Sequence, residues 1–289
     1  NQVKEIDTDF KTDNCTDATQ MFYGDQSLES LDVSHFKTSN MESMASMFGQ
    51  NYKMTSYDIG NWDVRKVKSF SHMFNGARSV VSLDLSNWHT DSATQMNNMF
   101  SSTYNIVSLK VDNFDTSRIT NMHGMFNDSF VITDLDLSNF DTSNVTDFSG
   151  MFSNDHALKN LNLSSFVINT TKNVSMDKMF FNDDAMEELD ISSFDTRKVT
   201  NFNNMFSGMA KIKTIYVSNS FVTTGITSTP TMFDGDNLLV GGLGTSYSTY
   251  NVKNFTLNER GRFFEVQQTF SISVDILASC EYFNASLCR

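Results

Sequence analysis

The chain of 289 residues holds a single proline, Pro230. Its turns must therefore come from other residues, and Asn, Ser and Thr are abundant enough to make them. There are three cysteines, Cys15, Cys280 and Cys288, with no CxxC and no zinc-ligand spacing. Cys280 and Cys288 could pair in an oxidising compartment, leaving Cys15 over. No apolar run reaches the roughly 18 residues of a transmembrane helix, and no basic start followed by an apolar stretch marks a signal peptide. Beginning at Asn1 rather than Met, the chain reads as a mature product or an excised fragment. Positive charge is scarce: 21 Lys and Arg face 34 Asp and Glu, for a formal net charge of -13. That balance repels phosphate backbones and anionic membrane surfaces, so neither nucleic-acid binding nor membrane insertion is expected.

Catalytic and metal-binding signatures are missing too. There is no GxSxG, P-loop or GxGxxG. The histidines His35, His72, His89, His123 and His156 fall at unrelated places and form no HxxxH pair. Catalysis needs a few irreplaceable residues converging in a cleft, and none stand out, so an enzyme is not expected.

What is present is repetition. Met-Phe recurs at Met21-Phe22, Met47-Phe48, Met73-Phe74, Met99-Phe100, Met125-Phe126 and Met151-Phe152, and again at Met179-Phe180, Met205-Phe206 and Met232-Phe233. With Leu135 as position zero, the equivalents are Leu31, Tyr57, Leu83, Leu109, Leu161, Leu189 and Ile215. Position two is aliphatic from Val33 to Val217, and position five is aromatic: Phe36, Trp62, Trp88, Phe114, Phe140, Phe166 and Phe194. Such a register marks a repeat whose apolar stripe is buried only by stacking units.

Apolar residues at zero and two predict a short strand with one buried face. Val145, Phe148, Met151 and Phe152 have helical spacing, with Asp141, Thr142 and Ser143 placed to cap a first turn. Each unit thus reads as strand, turn and short helix, and the expected fold is an α/β leucine-rich-repeat solenoid of roughly 26-residue units with irregular ends. The expected divisions are an N-terminal capping unit over 1–30, a solenoid over 31–233 and a C-terminal cap over 234–289. In the first unit Glu5 and Asp7 replace the paired strand residues, and Cys15 and Ala18 take core positions. "FFEVQQTFSISVDIL" suits strands. Position four, with His35, Asn61, Asn87, Asn113, Asn139, Ser165, Ser193 and Asn219, reads as polar staples between neighbouring units. The methionines and the two tryptophans keep register and read as core.

"LDLSNFDTSNVTDFSGMF" and its copies, with "NLLVGGLGTSYSTY" and "RGRFFE" after them, resemble the BspA-like leucine-rich-repeat proteins of bacterial surfaces, which carry the mycoplasma-lipoprotein-type repeat. The resemblance implies a cell-surface or secreted setting and adhesion to host or matrix components as a common role.

Position one points away from the core and is mostly acidic. Asp32, Asp58, Asp84, Lys110, Asp136 and Asp190, with Ser82 and Ser86 beside Asp84, form the candidate partner-binding face. Stacked carboxylates about 4.8 Å apart repel. Solvation, serine hydroxyls, Lys110 or bound cations must offset that. No cofactor is expected; Ca²⁺ is the one ion the face could attract, although six or more converging oxygens would be needed. The expected function is a non-catalytic adhesion surface for a protein or glycan on a host cell or matrix. The alternative is a structural protein that self-associates through its end units.

Overall fold

The computed structural model describes residues 6, 8–218, 220–223, 231–236, 238–239, 255–257 and 263–266, the last two spans as backbone. The expected leucine-rich-repeat solenoid of strand, turn and helix is corrected by it. Among the described residues there is no helix, and regular structure consists of strands of two to four residues in small sheets. Consequently no helix there is long and apolar enough to cross a membrane. Glu5, Asp7, Asn219, Cys280, Cys288 and most of the expected C-terminal cap lie outside the described residues.

Of the ten strands among the described residues, six cover positions zero and one of their units. β1 (Ser82–Asp84) pairs in parallel with β2 (Ser108–Lys110), and β3 (Asp134–Asp136) with β4 (Asn160–Asn162). β5 (Val174–Ser175) pairs with β7 (Val199–Asn201). β6 (Glu188–Asp190) pairs in parallel with β8 (Thr214–Tyr216). β8 is joined antiparallel by β10 (Phe263–Val266), which also pairs with β9 (Phe255–Leu257). In each two-stranded pair of the strand face the position-zero residues are in register, Leu83 with Leu109 and Leu135 with Leu161.

The segment expected to be helical is a run of turns instead. Alternate amides reach the next unit: Phe148 N–H donates to the Ser175 carbonyl, Gly150 to Asp177, Phe152 to Met179 and Asn154 to Phe181, at 2.7–3.0 Å. Amides between them close local turns, Met151 onto Phe148 and Ser153 onto Gly150. Left-handed residues interrupt each of the first eight such runs twice, for example His72 (φ 58) and Gly76 (φ 78), or Gly150 (φ 61) and Asn154 (φ 65). A helix cannot pass through left-handed residues, so the chain satisfies its amides sideways. Single parallel bridges then tie Asp17 to Ser43, Ser43 to Ser69, and so on through Gln95, Asn121 and Asp147 to Ser175.

The residues read as helix caps also act differently. Asp141 accepts the Ser143 N–H at 2.9 Å, closing an Asx-turn, while the Thr142 hydroxyl donates to the Val167 carbonyl of the next unit at 2.9 Å. Position four does staple units where bonds form. Asn113 donates to the Ser86 carbonyl at 2.6 Å, Asn139 to Val111 at 3.0 Å, Ser165 to Phe140 at 2.8 Å, and the His35 ring meets the Thr8 carbonyl at 2.8 Å.

The core lies between strand face and turn face. Phe22, Phe48, Phe74, Phe100, Phe126, Phe152, Phe180, Phe206 and Phe233 form one column of stacked rings, with centroids 5.0–5.9 Å apart. The Met before each of these from Met47 onwards is buried, as are Trp62 and Trp88. Each indole donates to a carbonyl of the preceding unit, Trp62 to Val33 and Trp88 to Ile59. One unit, from Leu161 to Leu189, carries two extra residues. They leave on the exposed stretch 170–173, where the Asn169 side chain gathers the amides of Thr171 and Lys172, each at 2.9 Å.

Candidate functional site: an acidic groove on the strand face

The strand face changes character along its length. At β1–β2 the charges neutralise one another. Lys110 Nζ lies 2.8 Å from Asp84 Oδ2, and the Ser86 hydroxyl and amide both donate to Asp84 Oδ1, at 2.6 and 3.0 Å. Those bonds hold the Asp84 carboxyl well below the usual carboxylate range, Lys110 first and Ser86 next. Ser82 sits opposite Ser108. Asp32 is likewise occupied locally by Ser34, whose hydroxyl and amide donate to it at 2.7 and 3.0 Å. Asp58 is exposed and belongs to no strand.

Further along, β4 and β6 belong to different sheets. Across that break lies a groove of about 590 Å³. It runs from Asp134 and Asp136 on β3, across β4 with its half-buried Leu161, to Glu188 and Asp190 on β6 and Tyr216 on β8. One lysine, Lys159, faces these four carboxylates. The groove therefore brings together two of the position-one residues picked from sequence, Asp136 and Asp190. It leaves Asp32, Asp58, Asp84, Lys110, Ser82 and Ser86 outside.

Within the groove Asp134 and Asp136 are held below the ordinary carboxylate range. Asp134 lies below its ordinary range because the Thr133 hydroxyl and the Asn160 amide both donate to it, each at 2.5 Å. Asp136 is lowered by Ser138, whose N–H donates to Oδ1 at 2.9 Å. Ser192 N–H donates to Asp190 in the same way, at 2.9 Å, and the Tyr216 hydroxyl donates to Glu188 at 3.3 Å. Position-one acids thus have two tasks: one oxygen closes the Asx-turn that ends the strand, and the rest of the carboxylate faces solvent. Among the described residues no three His, Cys, Asp or Glu side chains converge as ligands for a metal ion.

Asp134, Glu188 and Lys159 were missed by sequence reasoning. Asp134 and Glu188 occupy the position of Ser82, two residues before position one on the same face of a period-two strand. Reading that column as serines because Ser82 was its example hid the second acidic row.

A face of repeated short parallel strands, edged by acidic residues and carried on 26-residue units, defines a repeat-built class of protein. The comparison with known families agrees in being repetitive. The model of the family described as Mycoplasma protein of unknown function, DUF285, matches three times in succession, over residues 1–110, 80–187 and 167–274. The chain belongs to that family. No curated protein matches it.

Proposed function

We propose that this chain is a non-catalytic, surface-exposed binding protein that captures a basic protein segment in the groove that runs from β3 across β4 to β6. The observation that carries the reading is the local composition: four acidic side chains against one lysine in one groove. Such a groove raises the local concentration of a cationic partner and speeds its capture. The half-buried Leu161 supplies the apolar contact that charge alone lacks. The likeness of the repeat to BspA-type bacterial surface proteins supports a cell-surface or secreted setting, and a host or matrix protein as the natural partner.

The test is a binding screen of the purified chain against matrix proteins and mucins, with a lysine-rich peptide as reference probe. Asp136→Lys with Asp190→Lys is expected to weaken capture by about tenfold or more, mostly through slower association, and added salt to weaken the wild type in the same way. Capture that is unchanged in this variant and insensitive to salt would sink the proposal.

A further inference from the structure

The turn face carries a second cleft, built by glycine. Each repeat places a left-handed residue at the same register position, and in most units that residue has a side chain: Gln20, Ser46, His72, Asn98, Lys178 and Asn204. Two successive units have glycine there instead, Gly124 (φ 58) and Gly150 (φ 61). The column of side chains is interrupted for two units, and a cleft of about 340 Å³ opens between Asn98 and Lys178. That lies within the roughly 300–1,000 Å³ of small-molecule sites.

The lining is polar and mixed in function. The Asn98 amide leans over Gly124, with Oδ1 where a Cβ on that glycine would lie. His123 presents its ring, and Asp177 and Lys178 contribute one carboxylate and one ammonium, which balance. Ser149 and Ser153 add hydroxyls. Phe181 lines one wall, half-buried, with Lys178 Nζ over one face of its ring, 5.8 Å from the centroid. The side chains of Asn98, His123 and Asp177 make no hydrogen bond or ion pair with other described residues. Amide, imidazole and carboxylate together offer donors and acceptors of both kinds. A charge-balanced, hydrogen-bonding cleft with one aromatic wall suits a neutral ring bearing many hydroxyls and one apolar face.

We propose that the cleft at Gly124 and Gly150 is a saccharide-binding site, distinct from the acidic groove. Its ligand is a neutral sugar ring, set against Phe181 and hydrogen-bonded by Asn98, His123 and Asp177.

Saturation-transfer NMR on the full chain with glucose, galactose and N-acetylglucosamine tests this. At least one sugar is expected to bind saturably with millimolar affinity. Gly150→Gln refills the cleft with the residue the chain itself uses at Gln20 (φ 57), and should weaken binding by about tenfold or more. Phe181→Ala should weaken it as well, and decides the matter if Gly150→Gln does not fold. Asp136→Lys in the groove should leave sugar binding unchanged, so failure of the basic-partner reading and failure of this one are separable. No transfer from any of the three sugars, or unchanged binding in folded Phe181→Ala, overturns the proposal.

Discussion

Single residues do their work here through backbone geometry. Eleven described non-glycine residues stand at positive φ, among them Gln50, His72 and Lys178, where left-handed geometry costs about 1–2 kcal/mol each. Hydrogen bonds hold them there, one to the next unit and one within their own turn: the His72 N–H donates to Asn97 O, and the His72 carbonyl accepts from the Asn75 N–H. Two glycines separate this effect from packing. Gly24 (φ 80) has open space where a Cβ would go, so Gly24→Ala is expected to destabilise by about 1 kcal/mol through φ alone. Gly60 is not left-handed and its Cβ would meet only the Asp84 carbonyl, at 4.0 Å, so Gly60→Ala should be neutral or stabilise by about 0.4–1 kcal/mol. Urea unfolding of both variants checks the pair; equal costs would remove the left-handed account. At this scale the sequence was half legible. Asp136 was readable as an outward acid, but its grip on Ser138 was not, because an Asx-turn leaves no mark beyond the common pattern of Asp and Ser two apart.

Among elements, the aromatic column is the most cooperative. Phe126 stacks on Phe100 and Phe152 at 5.7 Å on both sides and is buried. Truncating it opens a cavity that two neighbours share, and Phe126→Ala is expected to cost about 3–5 kcal/mol by chemical denaturation. A loss under about 1 kcal/mol would show that the column adds little beyond area burial. The column was legible as core from Met-Phe register, while its backbone was not. Val145, Phe148, Met151 and Phe152 recur every three or four residues, and a helix and a chain of four-residue turns bury side chains at that same interval. What decides between them is where the amides go. That depends on the neighbouring unit, and hydropathy does not report it.

For the molecule as a whole, pH acts in two opposed ways. Asp155 and Asp183 are fully buried; Asp155 N–H donates to Asp183 Oδ1 at 3.0 Å, Ser129 N–H to Asp155 Oδ1 at 2.8 Å, and the remaining oxygen of each has no hydrogen-bond partner. Desolvation raises both carboxyls well above the usual range, with the Asp183 charge adding to the effect on Asp155, and Asp128 and Asp184 nearby pushing the same way. Burial pushes Asp236 up to about 8. These groups bind protons in the folded state that the unfolded chain has already shed. Their contribution is complete below the ordinary carboxylate range and is lost as pH rises through their raised values. The exposed pairs run the other way: Glu42 with Lys68, and Glu187 with Lys213, lie below the ordinary range, so their small contribution is lost on acidification. Stability is therefore expected to peak in mild acid and to fall as pH rises through the raised values, that of Asp236 being about 8. Asp155→Asn with Asp183→Asn should flatten that alkaline decline in Tm, and an identical slope in the variant would exclude these carboxyls as its source. None of this was visible in sequence, where the two aspartates look like the solvated acids around them. Only the stacking of units takes them out of water. The unit from Leu161 to Leu189 carries one last consequence. Its surplus residues leave at 170–173 on the exposed side, while its Phe180 stays stacked between Phe152 and Phe206 and its strand still pairs with the unit before. The units are phased by where the chain is fastened and not by how much chain lies between fastenings. Length at that corner is thus free to drift from copy to copy, and it is the natural place to splice in foreign sequence without disturbing the array.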